Sequence, residues 1–125
     1  MIKIVLIHHD LYTAKKIKHF IMSCCKECSI RLFVPKNTDE LMKMIEEDPG
    51  QIDVCFTEIK LNRFSAFGFV KKLRTLNPKV KVSVFSDTKE YAMEAWESGI
   101  NEYLLEPITL EKIQNSIKNL QVEEI

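Results

Sequence analysis

Four stretches of this chain carry groups with acid–base or ligating chemistry to the end of an apolar run. His8-His9-Asp10 follow Ile4-Val5-Leu6-Ile7, and Glu58 follows Val54-Cys55-Phe56-Thr57. Ser86 follows Val82-Ser83-Val84-Phe85, and Glu106-Pro107 follow Tyr103-Leu104-Leu105. Imidazoles and carboxylates meeting in one place have three uses. They hold a cation, and neutral imidazole suits Zn²⁺, Cu²⁺ or Ni²⁺ far better than Mg²⁺. They pair with one another, since a histidine beside carboxylates tends towards a raised pKa. Or they are solvated strand ends with no task. For the four tips to meet, the runs must be strands of an open parallel sheet, whose carboxyl ends form the ligand crevice.

The rest of the sequence supplies such a sheet. Residues 2–7 are continuously apolar, as in a strand covered on both faces. A helix is predicted over 11–24, with Leu11, Ala14, Ile17 and Ile21 on one face, and a short strand over 29–34. Asn37 can cap the next helix, with Glu40 three residues on and Leu41, Met44 and Ile45 as its stripe, and Pro49-Gly50 closes it. A third strand covers 52–57. Ser65 precedes a helix bearing Phe69, Val70, Leu73 and Leu76 that stops before Pro78. A fourth strand covers 80–85, and a fourth helix spans 88–98, ended by Gly99. A fifth strand covers 102–105, and Thr109 caps a last helix with Leu110, Ile113, Ile117 and Leu120 at helical spacing. Five βα units predict an α/β, flavodoxin-like doubly wound parallel sheet with strand order 2-1-3-4-5.

Composition narrows the class. The 125 residues make one domain, with 46% hydrophobic and 29% charged residues. The 18 basic and 18 acidic side chains cancel, so no electrostatic footprint points to direct nucleic-acid binding by this domain. No apolar run approaches the roughly 20 residues of a membrane span. The opening MIKIVLI lacks the length and cleavage site of a signal peptide, so a cytoplasmic location is expected. Cys25 and Cys28 form a C-x-x-C at the end of the first helix, with Cys24 beside it. A structural zinc site needs a second pair, and a redox pair sits at a helix N-terminus, so neither role is expected. Cys55 reads as a small core hydrophobe.

The segments Glu90-Tyr91-Ala92-Met93-Glu94-Ala95-Trp96-Glu97-Ser98-Gly99 and Tyr103-Leu104-Leu105-Glu106-Pro107-Ile108 resemble the receiver domain of bacterial two-component response regulators. They are closest to the LytR/AgrA-type branch, which usually joins its receiver to a LytTR DNA-binding domain. The likeness runs from Ile2 to about Leu120, without a gap over 53–74 and 86–108. It implies a receiver-like domain over 1–121, with 122–125 a tail that can begin a linker to such an effector domain. The family's chemistry is phosphoryl transfer to an aspartate, with Mg²⁺ held by that aspartate and an acid pair. A lysine and a Ser or Thr contact the phosphoryl group.

Carried over by position, most of that machinery is replaced. The acid pair falls on His8 and His9, the acceptor aspartate on Glu58, the lysine on Glu106, and a Pro-Gly on Asn62-Arg63. Ser86, Tyr103 and Pro107 keep family identity, and Asp10 matches a third acidic position common after the acid pair, from which a carboxylate could still reach a cation. The resemblance also implies a cis Glu106–Pro107 bond. An ordinary receiver pocket has three carboxylates and one lysine and recruits a divalent cation. Here protonated His8 and His9 would neutralise Glu58 and Glu106 without one.

The expectation is an atypical receiver in two-component signalling and transcription regulation. It would act without phosphorylation, as a protein-interaction or dimerisation module, with no catalysis and no cofactor. Its working surface is expected on the fourth helix, fifth strand and fifth helix. Tyr91 and Trp96 would be anchors there, with Glu90, Glu94, Glu97, Lys112 and Lys118 as a polar rim. Two alternatives stay open: a receiver still phosphorylated by a histidine kinase, and a transition-metal sensor using His8, His9, Asp10 and Glu58. Glu58 is either a plain carboxylate or a mimic of the phosphorylated aspartate. Ser86 and Tyr103 are switch candidates, with a loop cap and a core residue as their plainer roles. Trp96 is either half-buried core or an exposed anchor.

Overall fold

Alternation within each strand decides which helices cover which face. The computed structural model describes residues 2–24, 30–48, 50, 52–61 and 64–120. The elements run β1 (Ile2–Ile7), α1 (Leu11–Cys24), β2 (Ile30–Phe33), α2 (Thr38–Glu47), β3 (Val54–Glu58), β4 (Lys60–Leu61) and β5 (Phe64–Ser65). They continue with α3 (Ala66–Leu76), β6 (Lys81–Ser86), α4 (Ala92–Glu97), β7 (Glu102–Leu105) and α5 (Leu110–Leu120). One parallel sheet has the order β2-β1-β3-β6-β7, which is 2-1-3-4-5 when the sheet's own strands are numbered. This is the flavodoxin-like arrangement expected from the sequence.

In β1, Ile4 and Leu6 join one buried cluster, and Val5 and Ile7 the other. The first cluster continues through Phe56 and Phe85 to Ile17 and Ile21 of α1 and Ile113 and Leu120 of α5. The Phe56 and Phe85 rings stack with centroids 5.9 Å apart. The second runs through Cys55, Val82 and Val84 to Leu41 and Ile45 of α2 and Val70 and Leu73 of α3. Burial pushes the Cys55 thiol up to about 12, so it is an inert apolar group.

Local signals set several ends. The Asn37 side chain accepts from the Glu40 N–H at 2.8 Å, capping α2. Thr109 Oγ1 accepts from the Lys112 N–H at 3.2 Å, capping α5. Gly99 follows α4 at φ 78°, the left-handed conformation that glycine takes without strain.

Several expectations need correction. The fourth helix covers Ala92–Glu97 rather than 88–98. The segment before it folds into side-chain turns: the Thr88 N–H donates to Ser86 Oγ at 3.1 Å, and the Glu90 N–H to Thr88 Oγ1 at 3.1 Å. Such bonds give the backbone an alternative to helix. Leu11 is 74% exposed and does not share the buried face of Ala14, Ile17 and Ile21. Leu76 and Leu110 are exposed as well. The third strand begins at Val54, with Glu58 as its last residue. The antiparallel β4–β5 pair was not anticipated. Cys25, Cys28, Asn62, Arg63 and the tail 121–125 lie outside the described residues.

Candidate functional site

Register brings two of the four tips together directly. Ile7 pairs with Thr57, so the residues after β1 emerge beside the end of β3. There the Glu58 carboxylate is doubly held by His9. Its Oε1 accepts the His9 N–H at 2.7 Å, and its Oε2 lies 2.6 Å from His9 Nδ1. The hydrogen bond to Glu58, then its charge, hold the His9 imidazole above its ordinary 6.5. Asp10 and Glu106 add to this, and slight burial opposes it.

His8 points inward, its side chain only 5% exposed. Its Nδ1 accepts the Asp10 N–H at 3.1 Å, which leaves the ring hydrogen on Nε2, 3.4 Å from Glu106 Oε1. The two imidazoles stack, with centroids 5.1 Å apart and planes 16° from parallel. His9 thus faces Glu58, while His8 faces Glu106 with its Nδ1 3.9 Å from Glu58 Oε2. Because that Nδ1 accepts a hydrogen bond, the geometry holds one His–Glu ion pair rather than the two that charge counting expects.

Asp10 is elsewhere engaged. It precedes α1 as its cap, accepting from the Tyr12 N–H at 3.2 Å and the Thr13 hydroxyl at 2.5 Å. These bonds, the Thr13 hydroxyl first, hold its carboxyl below the usual range. His8, His9 and Glu58 have ligating atoms within 4.8 Å of one another, and Asp10 is not among that group. The expected four-residue ligand set is thus reduced to three.

The third and fourth tips meet where the Glu106 N–H donates to the Ser86 carbonyl at 2.8 Å, and Thr88, which the sequence reading passed over, joins Ser86 to Tyr103. Ser86 is buried and accepts the Thr88 N–H, so it caps that loop. The Tyr103 hydroxyl donates to the Thr88 carbonyl, with the half-buried ring packed on the core. The spacing Ser-Asp-Thr, a common turn pattern, was the available signal. The Glu106–Pro107 peptide is cis. Lys112, expected on the polar rim, is engaged within the fold. Its Nζ donates to the Leu105 carbonyl at 2.6 Å and the Pro107 carbonyl at 2.9 Å, tying α5 to the end of β7.

Two clefts open at this edge of the sheet. One of about 360 Å³ is lined by His8, His9, Glu58, Ser86, Thr88 and Glu106, among others. A larger one of about 830 Å³ lies between the start of α1 and the loop after β7, bordered by His9, Tyr12, Lys16, Glu106 and Pro107. Away from the tips, Trp96 is 79% exposed and Met93 71%, one helical turn apart on α4. This settles Trp96 as a surface residue. Tyr91 is half-buried against the core.

Comparison with known proteins agrees with this geometry. A model of the response regulator receiver domain matches residues 5–118. "Uncharacterized transcriptional regulatory protein YesN" of Bacillus subtilis is 28% identical over 83 residues, 65% of this chain and 22% of that protein. "Two-component response regulator-like APRR3" of Arabidopsis thaliana is 24% identical over 123 residues, 95% of this chain and 23% of that protein. The chain therefore spans about a quarter of the length of these relatives. A receiver-domain crystal structure from Clostridium thermocellum superposes with a TM-score of 0.81 at 20% identity, covering 96% of this chain and 94% of that one. At that identity the likeness is of fold.

The Mg²⁺ that the resemblance implies does not fit the residues present. It requires a near-octahedral set of oxygen ligands. The positions offer two imidazoles, one carboxylate bound to His9, and a second bound to a helix start. The fold and the family match agree over almost the whole length: the chain belongs to the response regulator receiver domain family.

Proposed function

We propose that this receiver signals without being phosphorylated, as an association module in two-component transcription regulation. The observation that carries this reading is the double engagement of Glu58 by His9, at 2.6 and 2.7 Å. The residue in the acceptor position has neither the aspartate's reach nor a free carboxylate. The lysine position holds Glu106, turned to His8, and Lys112 is committed to main-chain carbonyls. A pocket whose Glu58 is held twice by His9 and whose Glu106 faces His8 has its carboxylates engaged by its own side chains and holds one conformation. Association then requires no chemical trigger.

The partner surface in this reading is α4, β7 and α5. Trp96 and Met93 supply exposed apolar anchors, and Glu90, Glu94, Glu97 and Lys118 supply charges of both signs around them. Tyr91 contributes its outer edge. The occupant is a second copy of the chain or an effector. A LytTR-type DNA-binding domain following this one is the effector that the sequence resemblance favours. No described helix is long and apolar enough to cross a membrane, which is compatible with a cytoplasmic regulator.

Analytical ultracentrifugation of wild type, Trp96→Glu and Glu58→Ala tests the surface. The expected result is a concentration-dependent dimer, lost in Trp96→Glu and kept in Glu58→Ala, with no phosphodonor present. A dimer indifferent to Trp96→Glu, or a strict monomer at every concentration, contradicts self-association through α4.

A further inference from the structure

We propose that the tips of β1 and β3 form a binding site for a divalent transition cation such as Co²⁺, Ni²⁺ or Zn²⁺, ligated by His8, His9 and Glu58. Two imidazoles and one carboxylate are a set that zinc takes with three protein ligands, leaving a further position for water. The three donor atoms lie within 4.8 Å of one another. Around a tetrahedral ion with bonds of about 2.1 Å, ligating atoms are about 3.4 Å apart. His8 Nδ1 and Glu58 Oε2, at 3.9 Å, need to close by only about 0.5 Å to meet that spacing. His9 Nδ1 and Glu58 Oε2, at 2.6 Å, must open by about 0.8 Å. The His9 side chain is 78% exposed, and its ring must turn out of the His8 stack to aim Nδ1 at a shared ion.

His8 is arranged as a metal-binding histidine usually is. Its buried ring directs Nε2–H towards the Glu106 carboxylate, 3.4 Å away, and its Nδ1, which accepts the Asp10 N–H, lies 3.9 Å from Glu58 Oε2. A carboxylate behind the distal nitrogen fixes tautomer and ring orientation and raises the basicity of the ligating atom. Binding must displace the Asp10 N–H from Nδ1, and the exposed Asp10 backbone can turn to water instead. The open coordination position would face the cleft of about 360 Å³ that His8, His9 and Glu58 themselves line. Ligand softness sets the choice of ion: nitrogen donors favour the later first-row metals, whereas Mg²⁺ takes oxygen. The site does not depend on the association proposed above, so the two fail separately.

Cobalt is the informative probe, because ligation by any of the four cysteines of the chain would announce itself as a thiolate-to-cobalt band. Co²⁺ is titrated into the reduced chain, followed by visible absorption and calorimetry, with Mg²⁺ titrated in parallel. The expected result is one saturable equivalent of Co²⁺ with ligand-field bands of nitrogen–oxygen coordination, no thiolate-to-cobalt band, and a flat Mg²⁺ titration. His9→Ala and Glu58→Gln should each weaken Co²⁺ binding at least about tenfold. Both variants are checked for an unchanged circular dichroism spectrum. Absence of saturable Co²⁺ binding, a dominant thiolate band, or equal affinity in wild type and both variants would overturn the proposal.

Discussion

Replacing His9 with alanine should destabilise the fold in acid and leave it nearly unaffected in base. The His9 imidazolium binds Glu58 Oε2 at 2.6 Å, and the folded-state pKa of His9 lies above 6.5. The folded state therefore binds the proton more tightly than the unfolded chain. The resulting stability is fully present below pH 6.5 and is lost as pH rises through the higher folded value. The ring is 78% exposed, so water screens the pair strongly. Exposed pairs contribute about 0.2–1 kcal/mol, and the short contact places this one at about 0.5 kcal/mol. For a domain of this size that is about 2 °C in Tm. The His9 N–H to Glu58 bond is a backbone contact and survives in the variant, so it cancels from the comparison. Urea denaturation of wild type and His9→Ala, with a chelator present to keep cations out, should give a gap of about 0.5 kcal/mol near pH 5.5 that closes by about pH 9. A gap that is constant with pH, or that widens in base, would refute the assignment of the proton to this pair.

Three further outcomes follow from packing and backbone geometry, each read by denaturant unfolding. Phe56→Ala removes a fully buried ring stacked on Phe85 and should cost about 3–5 kcal/mol. Gly99→Ala has room for its methyl group, since the nearest side-chain atom is Arg74 Nε at 3.9 Å. Its cost is therefore backbone strain at φ 78°, about 1–2 kcal/mol, and a loss below about 0.5 would contradict that origin. Tyr103→Phe leaves the Thr88 carbonyl without its donor and should cost about 1 kcal/mol, with little change in the near-ultraviolet signal of Trp96.

The sheet was legible because its strands are buried on both faces. Runs such as Ile4-Val5-Leu6-Ile7 have no polar face and so read plainly as inner strands, and Asn37, Gly99 and Thr109 mark helix ends by local chemistry. The β4–β5 pair was illegible because two-residue strands carry no periodicity. The start of α4 was misread because Ser86 and Thr88 bond to nearby N–H groups, an effect that hydrophobic spacing does not register. Leu11 has the right spacing for the core face but lies in the first turn of α1, where the sheet no longer covers it. At the site, charge counting anticipated that the histidines would lie beside the glutamates, but not that His8 Nδ1 would accept the Asp10 N–H instead of carrying a second proton. The cap that Asp10 forms on α1 was legible as an Asp directly before the helix but went unread, whereas the hold of carbonyls on Lys112 depends on distances that only the folded chain fixes.

The central claim is that the acceptor position of this receiver does not take a phosphoryl group. Intact-mass spectrometry after incubation with excess acetyl phosphate and Mg²⁺ tests it most directly. The account predicts the unmodified mass throughout. A stoichiometric phosphoryl adduct, absent from Glu58→Gln, would contradict it.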